Sequence, residues 1–191
     1  MQNMHNMKEK ILYIYGYGSN PWDSSTKKVV KEVVGELGFE LVSIEYDQED
    51  PDMGLTMLEK YIRDHKIKYV IGHSLGGFMT LCLMSNVKKI VINPCMKPSI
   101  ELPKLEKISN GTLHQYEVLE GWLRSGDETP WVSQLEDVMG LFGVYDELFS
   151  YYDEFKKIYP KAYYIKSDHR PTIESFNEDI KTKIKEFFVS M

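Results

Sequence analysis

An α/β fold, with a mostly parallel sheet of about six strands, helices on both faces and a small cap insertion, is predicted for this chain by three observations. Apolar runs that do not alternate, such as Ile11-Leu12-Tyr13-Ile14-Tyr15 and Ile90-Val91-Ile92, have the pattern of strands covered on both sides. Stretches with apolar residues at helical spacing separate these runs, as parallel strands joined by crossovers require. Finally, Gly72-His73-Ser74-Leu75-Gly76 joins one apolar run to an apolar helix and leaves no room for a loop between them. With 191 residues, one domain over 1–191 is expected.

The first strand ends in the loop Gly16-Tyr17-Gly18-Ser19-Asn20-Pro21. A helix follows from Ser24 or Ser25, capped by Asp23 or one of those serines, with Val29, Val30, Val33, Val34 and Leu37 on its apolar face and Gly38 placed to stop it. Phe39 to Tyr46 reads as a second strand. The acidic run from Asp47 to Asp52 reads as a turn and helix cap, since no histidine joins it as a metal ligand. Leu55, Leu58, Tyr61 and Ile62 mark the next helix, Ile67 to Ile71 the third strand, Phe78 to Met84 a buried helix and Lys88 to Asn93 the fourth strand. Val138 to Val144 and Ala162 to Lys166 are the fifth and sixth strands. A helix over Tyr151 to Tyr159 lies between them, and an amphipathic helix over Glu174 to Phe188 closes the chain.

The segment 95–137 breaks this rhythm. It has no clear strand but carries Trp122, Trp131, Leu113, Tyr116, Leu119 and Leu123, more apolar surface than a solvated loop leaves exposed. It is read as a cap over the C-terminal ends of the strands, with Trp122, Trp131 and His114 as candidate substrate-binding residues.

Composition excludes several classes of function. The net charge of −6 gives no basic footprint for nucleic acid or an anionic membrane, and no run reaches the ~18 apolar residues of a membrane span. The polar N-terminus lacks the apolar core of a signal peptide, which leads us to expect a cytoplasmic protein. The two cysteines, Cys82 and Cys95, have no metal or redox spacing.

The chemistry is concentrated at Ser74. A chain of this length would show Gly-x-Ser-x-Gly by accident with a probability of roughly 0.06, so the motif counts only with its context of a strand before and an apolar helix after. A strand that reverses into a helix this sharply strains its central residue and presses the residues two before and two after together. Gly72 and Gly76 lack the Cβ that would clash there. The serine is held above the sheet at the mouth of a helix whose free N–H groups can stabilise an oxyanion.

A serine hydroxyl needs a base, and the base needs a group to fix its tautomer. Both must come from loops at the C-terminal strand ends. His169, after the sixth strand, is the best-placed base. His5 lies in a loose end, His65 at a helix terminus, and His73 beside the serine with its side chain turned away, while His114 belongs to the cap. Asp146, after the fifth strand, is the candidate acid, with Glu147 and Asp168 as alternatives. The backbone N–H of Leu75 and a donor from the Gly16-Tyr17-Gly18 loop would bind the oxyanion. Such covalent catalysis needs neither metal nor organic cofactor.

The order of the Tyr15-Gly16-Tyr17-Gly18-Ser19 loop, the Gly72-His73-Ser74-Leu75-Gly76-Gly77 elbow, Asn93-Pro94, Asp146 and His169 resembles the α/β-hydrolase superfamily. The small size and the pairing of that elbow with Val91-Ile92-Asn93-Pro94 and Lys97-Pro98 resemble its UPF0227 esterases. The resemblance implies an α/β-hydrolase fold and a serine esterase acting on a small ester or thioester. In it Ser74 is the nucleophile, Asp146 and His169 are its partners, and Tyr17 and Leu75 are oxyanion donors. Two departures stand out: Tyr15-Gly16 replaces the usual His-Gly, and Ser167-Asp168-His169-Arg170 replaces the usual Gly-Asn-His followed by an aromatic. A non-catalytic binding protein on the same scaffold, or an acyltransferase using the same triad, are the alternatives.

Overall fold

Ile11, Leu12, Tyr13 and Ile14 are all buried, as a non-alternating run demands, and they fill β1 (Lys10–Ile14), an interior strand of the sheet. The computed structural model describes residues 8–124 and 135–190. Five more strands join β1: β2 (Glu40–Val42), β3 (Tyr69–His73), β4 (Lys88–Ile92), β5 (Val138–Gly143) and β6 (Lys161–Ile165). They form one sheet in the order β2-β1-β3-β4-β5-β6, and every pairing is parallel, where the sequence suggested only mostly parallel strands.

The strand order reverses direction at β1 and β3, so the loops that follow these two strands open the crevice where such sheets bind ligands. The register keeps the strand ends level: Ile14 pairs with Gly72, His73 with Ile92, Ile92 with Leu141, and Gly143 with Ile165. The connections carrying Tyr17, Ser74, Asn93, Asp146 and His169 therefore leave the sheet from one edge.

The first two crossover helices begin where the sequence supplies a cap. Ser24 Oγ accepts the Lys27 N–H at the start of α1 (Ser25–Glu36), and Asp50 does the same for Met53 at the start of α2 (Pro51–His65), with Pro51 at the first turn. The acidic loop thus serves as turn and cap. All eight residues of α3 (Leu75–Cys82) are buried. Asn177 caps α7 (Glu178–Val189), which therefore starts later than its apolar stripe suggested, and residues 173–175 make a separate 3-10 turn. Right-handed crossovers put α1 on one face of the sheet and α2, α3 and α6 (Tyr152–Lys156) on the other. The Lys181–Glu36 ion pair, 2.7 Å long, ties α7 to α1.

The second strand is shorter than its apolar run. Beyond Val42, side chains replace the ladder: Ser43 Oγ donates to the Tyr13 carbonyl at 2.7 Å, and the Tyr46 hydroxyl donates to the Tyr15 carbonyl at 2.7 Å. Between β4 and β5 the chain forms α4 (Pro98–Glu101), a 3-10 turn and α5 (Asn110–Arg124). Buried Glu120 binds α5 to α4, accepting from the Ser99 N–H at 2.7 Å and its hydroxyl at 2.9 Å. Tyr116 and Leu119 pack into the main core. Among the described residues no helix is long and apolar enough to cross a membrane.

The closest packing in this frame is that of α3 on the sheet. A Cβ on Gly76 would overlap the carbonyl oxygens of Ile14 and Tyr15, and one on Gly72 would overlap Gly76 O and Thr80 Oγ1. Gly76→Ala is therefore expected to lower the unfolding free energy in urea titrations by about 3 kcal/mol. A loss below about 0.5 kcal/mol would mean that helix and strand are not in this contact.

Candidate active site

The turn from β3 into α3 puts Ser74 at φ 56° and ψ −122°, a conformation that costs an L-residue of order 1–3 kcal/mol and persists only where its surroundings enforce it. They do so through the backbone: Ser74 N–H donates to Ile92 O at 3.0 Å, while its carbonyl accepts from Gly77 at 2.9 Å and Cys95 at 3.0 Å. The side chain stays partly exposed at the floor of a cavity of about 370 Å³.

Three carboxylates surround His169, and each has a different partner. Asp146 Oδ2 accepts from the His169 ring at Nδ1, 2.9 Å away, with both side chains about 95% buried. Glu147 accepts the His169 backbone N–H at 3.1 Å, and Asp168 turns back to the Arg170 N–H at 3.0 Å. The structure thus brings Asp146 to the imidazole and gives both sequence alternatives a backbone partner. Burial would raise the Asp146 carboxyl, but the hydrogen bond and charge of His169, with the Phe149 and Leu148 N–H groups, hold it below the usual carboxylate range. With Nδ1–H committed to Asp146, Nε2 is the basic nitrogen of the ring. Ser74 and His169 line the same cavity.

Gly16 lies directly against the serine, where a Cβ would come within 3.0 Å of Ser74 Cβ and 3.6 Å of its Oγ. The Gly16–Ser19 turn, closed by Ser19 N–H to Gly16 O at 3.2 Å, carries Tyr17 into the cavity wall. Leu75 opens α3, so its N–H has no acceptor within the helix. Neither the Tyr17 nor the Leu75 N–H has an acceptor among the described residues.

The cavity lining divides into apolar residues, Cys95, Leu102, Leu105, Leu148 and Phe149, and polar ones that include Ser19, Asn20, Ser25 and Arg170. Two of the three expected substrate contacts, Trp122 and His114, are placed elsewhere. Trp122 lies in a separate groove between Leu55, Glu59 and Met84, and the His114 side chain is 75% exposed opposite Glu117. Trp131 lies outside the described residues. A helical stripe gave these residues the right character, but α5 turns Tyr116 and Leu119 inward and leaves Trp122 and His114 on outer surfaces. From the same segment it is Leu102 and Leu105 that reach the cavity.

The sequence profile of the uncharacterised protein family UPF0227 matches residues 10–189. This chain belongs to the UPF0227 family. No curated protein matches it. Among solved structures, this UPF0227 chain is similar to the esterase Pf2001 of Pyrococcus furiosus, with a TM-score of 0.61 at 18% identity over 95% of this chain and 82% of that one. It is also similar to Est1E of Butyrivibrio proteoclasticus, with a TM-score of 0.67 at 17% identity over 97% and 88% of the two chains. An alpha/beta hydrolase enzyme from the metagenome of lagoon sediments at Mar Chica, Morocco, gives 0.62 at 16% identity, over 95% and 90%. The six-stranded parallel sheet with its helices is thus the α/β-hydrolase fold.

Two UPF0227 residues acquire a role that the sequence did not assign. Asn93, at φ 44° and 2% exposed, donates from Nδ2 to the Asp168 and His169 carbonyls at 3.1 and 3.0 Å and accepts the Gly143 N–H at 2.6 Å. His73 donates from Nε2 to the same His169 carbonyl at 2.8 Å. An asparagine before proline at a strand end was the available signal for the first, since Asn tolerates positive φ. For His73 there was none, because its partner lies 96 positions away.

Burial, and next the neighbouring His169, push the His73 imidazole down to about 3, so it is neutral in the native protein near neutral pH. In the unfolded chain such a ring titrates near 6.5, and below that pH the unfolded state binds a proton that the native state refuses. Stability from this source is therefore complete above about pH 6.5 and falls on acidification by about 1.4 kcal/mol per pH unit. His73→Gln keeps an N–H donor without the titration. Its unfolding free energy should fall less steeply than that of wild type between pH ~6.5 and ~4.5, and equal slopes would show that the native ring is protonated.

Proposed function

We propose that this protein is a serine hydrolase that cleaves a small carboxylic ester or thioester through an acyl-enzyme at Ser74. The observation that carries this reading is the buried His169–Asp146 pair, 2.9 Å apart, on the same cavity as a serine held at φ 56°. Ser74 Oγ attacks the carbonyl carbon and its proton passes to His169 Nε2, while Asp146 stabilises the imidazolium. The carbonyl oxygen takes the negative charge and is bound by the N–H groups of Tyr17 and Leu75. As the bond to the leaving alkoxide or thiolate breaks, His169 returns the proton to it. Water then repeats the sequence and frees the acid and Ser74. The serine–histidine hydrogen bond of such enzymes is often long without substrate and tightens in the complex.

The division of the cavity lining suggests how an ester would lie, with its acyl group against Leu102, Leu105, Leu148 and Phe149 and its leaving group toward the polar residues. Est1E has been solved with ferulic acid bound, a carboxylic acid of the kind that an acyl half would release. In this reading the segment 95–137 acts as a cap within a single domain and contributes the leucines that meet the acyl chain.

A fluorophosphonate is expected to label Ser74 in the wild type. Ser74→Ala and His169→Ala should each lower kcat on chromogenic esters by roughly 10⁴-fold or more, with the double variant little worse, and Asp146→Asn by roughly 10³–10⁴-fold. Folded protein without labelling and without turnover of any ester would refute the reading. Full activity in Asp146→Asn with loss in Glu147→Gln would move the acid role to Glu147.

Leu105→Trp fills space among the apolar residues. It should depress turnover of long acyl esters more than that of acetate, measured across a chain-length series. An equal loss on every ester would place the acyl group elsewhere.

A further inference from the structure

The oxyanion loop is held by more than its own turn. Gln48, from the acidic loop after β2, grips it from both sides of Tyr17: Nε2 donates to the Gly16 carbonyl at 3.0 Å, and Oε1 accepts the Gly18 N–H at 3.1 Å. The second Nε2 proton goes to the Tyr46 hydroxyl at 3.1 Å, which itself donates to the Tyr15 carbonyl at 2.7 Å. Every donor and acceptor of the amide is thus directed by a partner, and reversing the amide would set N–H against N–H at Gly18. The grip takes up the Gly16 carbonyl and the Gly18 N–H on either side of Tyr17 and leaves the Tyr17 N–H out of it, in a loop whose Gly16 lies against Ser74.

Gln48 is in turn held from α5. The hydroxyl of fully buried Tyr116 donates to the Gln48 carbonyl at 2.7 Å, and Thr112 Oγ1 donates to the Glu49 carbonyl at 2.6 Å. A connected chain of hydrogen bonds therefore runs from the helix between β4 and β5, through Gln48, to the peptide that faces the nucleophile. Such a network can fix a backbone donor more sharply than a glycine turn does alone.

We infer that Gln48 is a positioning residue for the oxyanion hole and that Tyr116 on α5 braces it, so the segment between β4 and β5 supports transition-state stabilisation as well as walling the cavity. This rests on the reading of Ser74 as the nucleophile of an acyl transfer. A residue that aims an oxyanion donor acts on the transition state and leaves ground-state binding alone.

The test compares wild type, Gln48→Met and Tyr116→Phe on a small chromogenic ester. It also measures inhibition by a trifluoromethyl ketone, whose adduct with the serine places an oxyanion in the same hole. Gln48→Met, which keeps the volume and loses all three side-chain hydrogen bonds, should lower kcat about tenfold or more, short of the roughly 10²–10³-fold cost of deleting an oxyanion donor. Its KM should stay within about twofold, and the inhibition constant of the ketone should rise in step with the fall in kcat. Tyr116→Phe should show the same pattern at several-fold size. A Gln48→Met or Tyr116→Phe protein with wild-type kcat and ketone affinity overturns the inference, as does a loss that appears in KM with ketone affinity unchanged. If the wild type itself neither turns over esters nor reacts with a fluorophosphonate at Ser74, the hydrolase reading fails and the inference falls with it. An active wild type with unaffected variants removes the inference alone.

Discussion

The contact on which this structure depends is the approach of α3 to the ends of β1 and β3 at Gly72 and Gly76. Helix and sheet come so close there that neither position has space for a Cβ. That closeness bends the chain at Ser74 into a positive φ and points the first turn of α3 toward the crevice. The same approach brings Gly16 against the serine, so Ser74 and the loop after β1 meet because one helix is allowed to lie unusually deep. Strain at Ser74 is offset by the apolar burial of all of α3, whose eight residues leave no other side on which the helix could rest.

Around that contact the polar groups are arranged to hold backbone as much as side chains. The His169 carbonyl accepts from both His73 and Asn93, its N–H is taken by Glu147, and its ring by Asp146. The residue is thus fixed at three points, and the ring also meets the edge of Phe149, 4.9 Å away. Buried networks of this kind rigidify when every member is satisfied and are costly when one is removed. Asn93 adds a link between strands, since its side chain joins the end of β5 to the loop after β6, the two connections that carry Asp146 and His169.

The segment between β4 and β5 is built on the body and does not stand clear of it. Tyr116 and Leu119 enter the main core, and Gln115 Oε1 accepts the Asp52 N–H at 3.2 Å from α2. Leu102 and Leu105 then form one wall of the cavity, while the far end of α5 carries Trp122 away from it.

Sequence alone determined the strand and helix order, the place of Ser74, and the loops from which His169 and Asp146 come. Each of these is written in local signals: non-alternating apolar runs, caps such as Ser24 and Asp50, and glycines two residues either side of a serine. Three matters were decided by the tertiary structure. Which carboxylate meets the His169 ring depends on how the loop after β5 folds, because Asp146 and Glu147 are neighbours in that loop and Asp168 stands next to His169 itself. Which residues between β4 and β5 line the cavity depends on the rotation of α5, which a stripe of apolar residues does not fix when both ends of the helix carry tryptophan or leucine. The supports supplied by Gln48, His73 and Asn93 are hydrogen bonds between a side chain and the backbone of a distant loop, up to 96 residues away for His73. Such bonds carry no periodicity and no composition, so they exist only once the sheet has set its strand ends side by side.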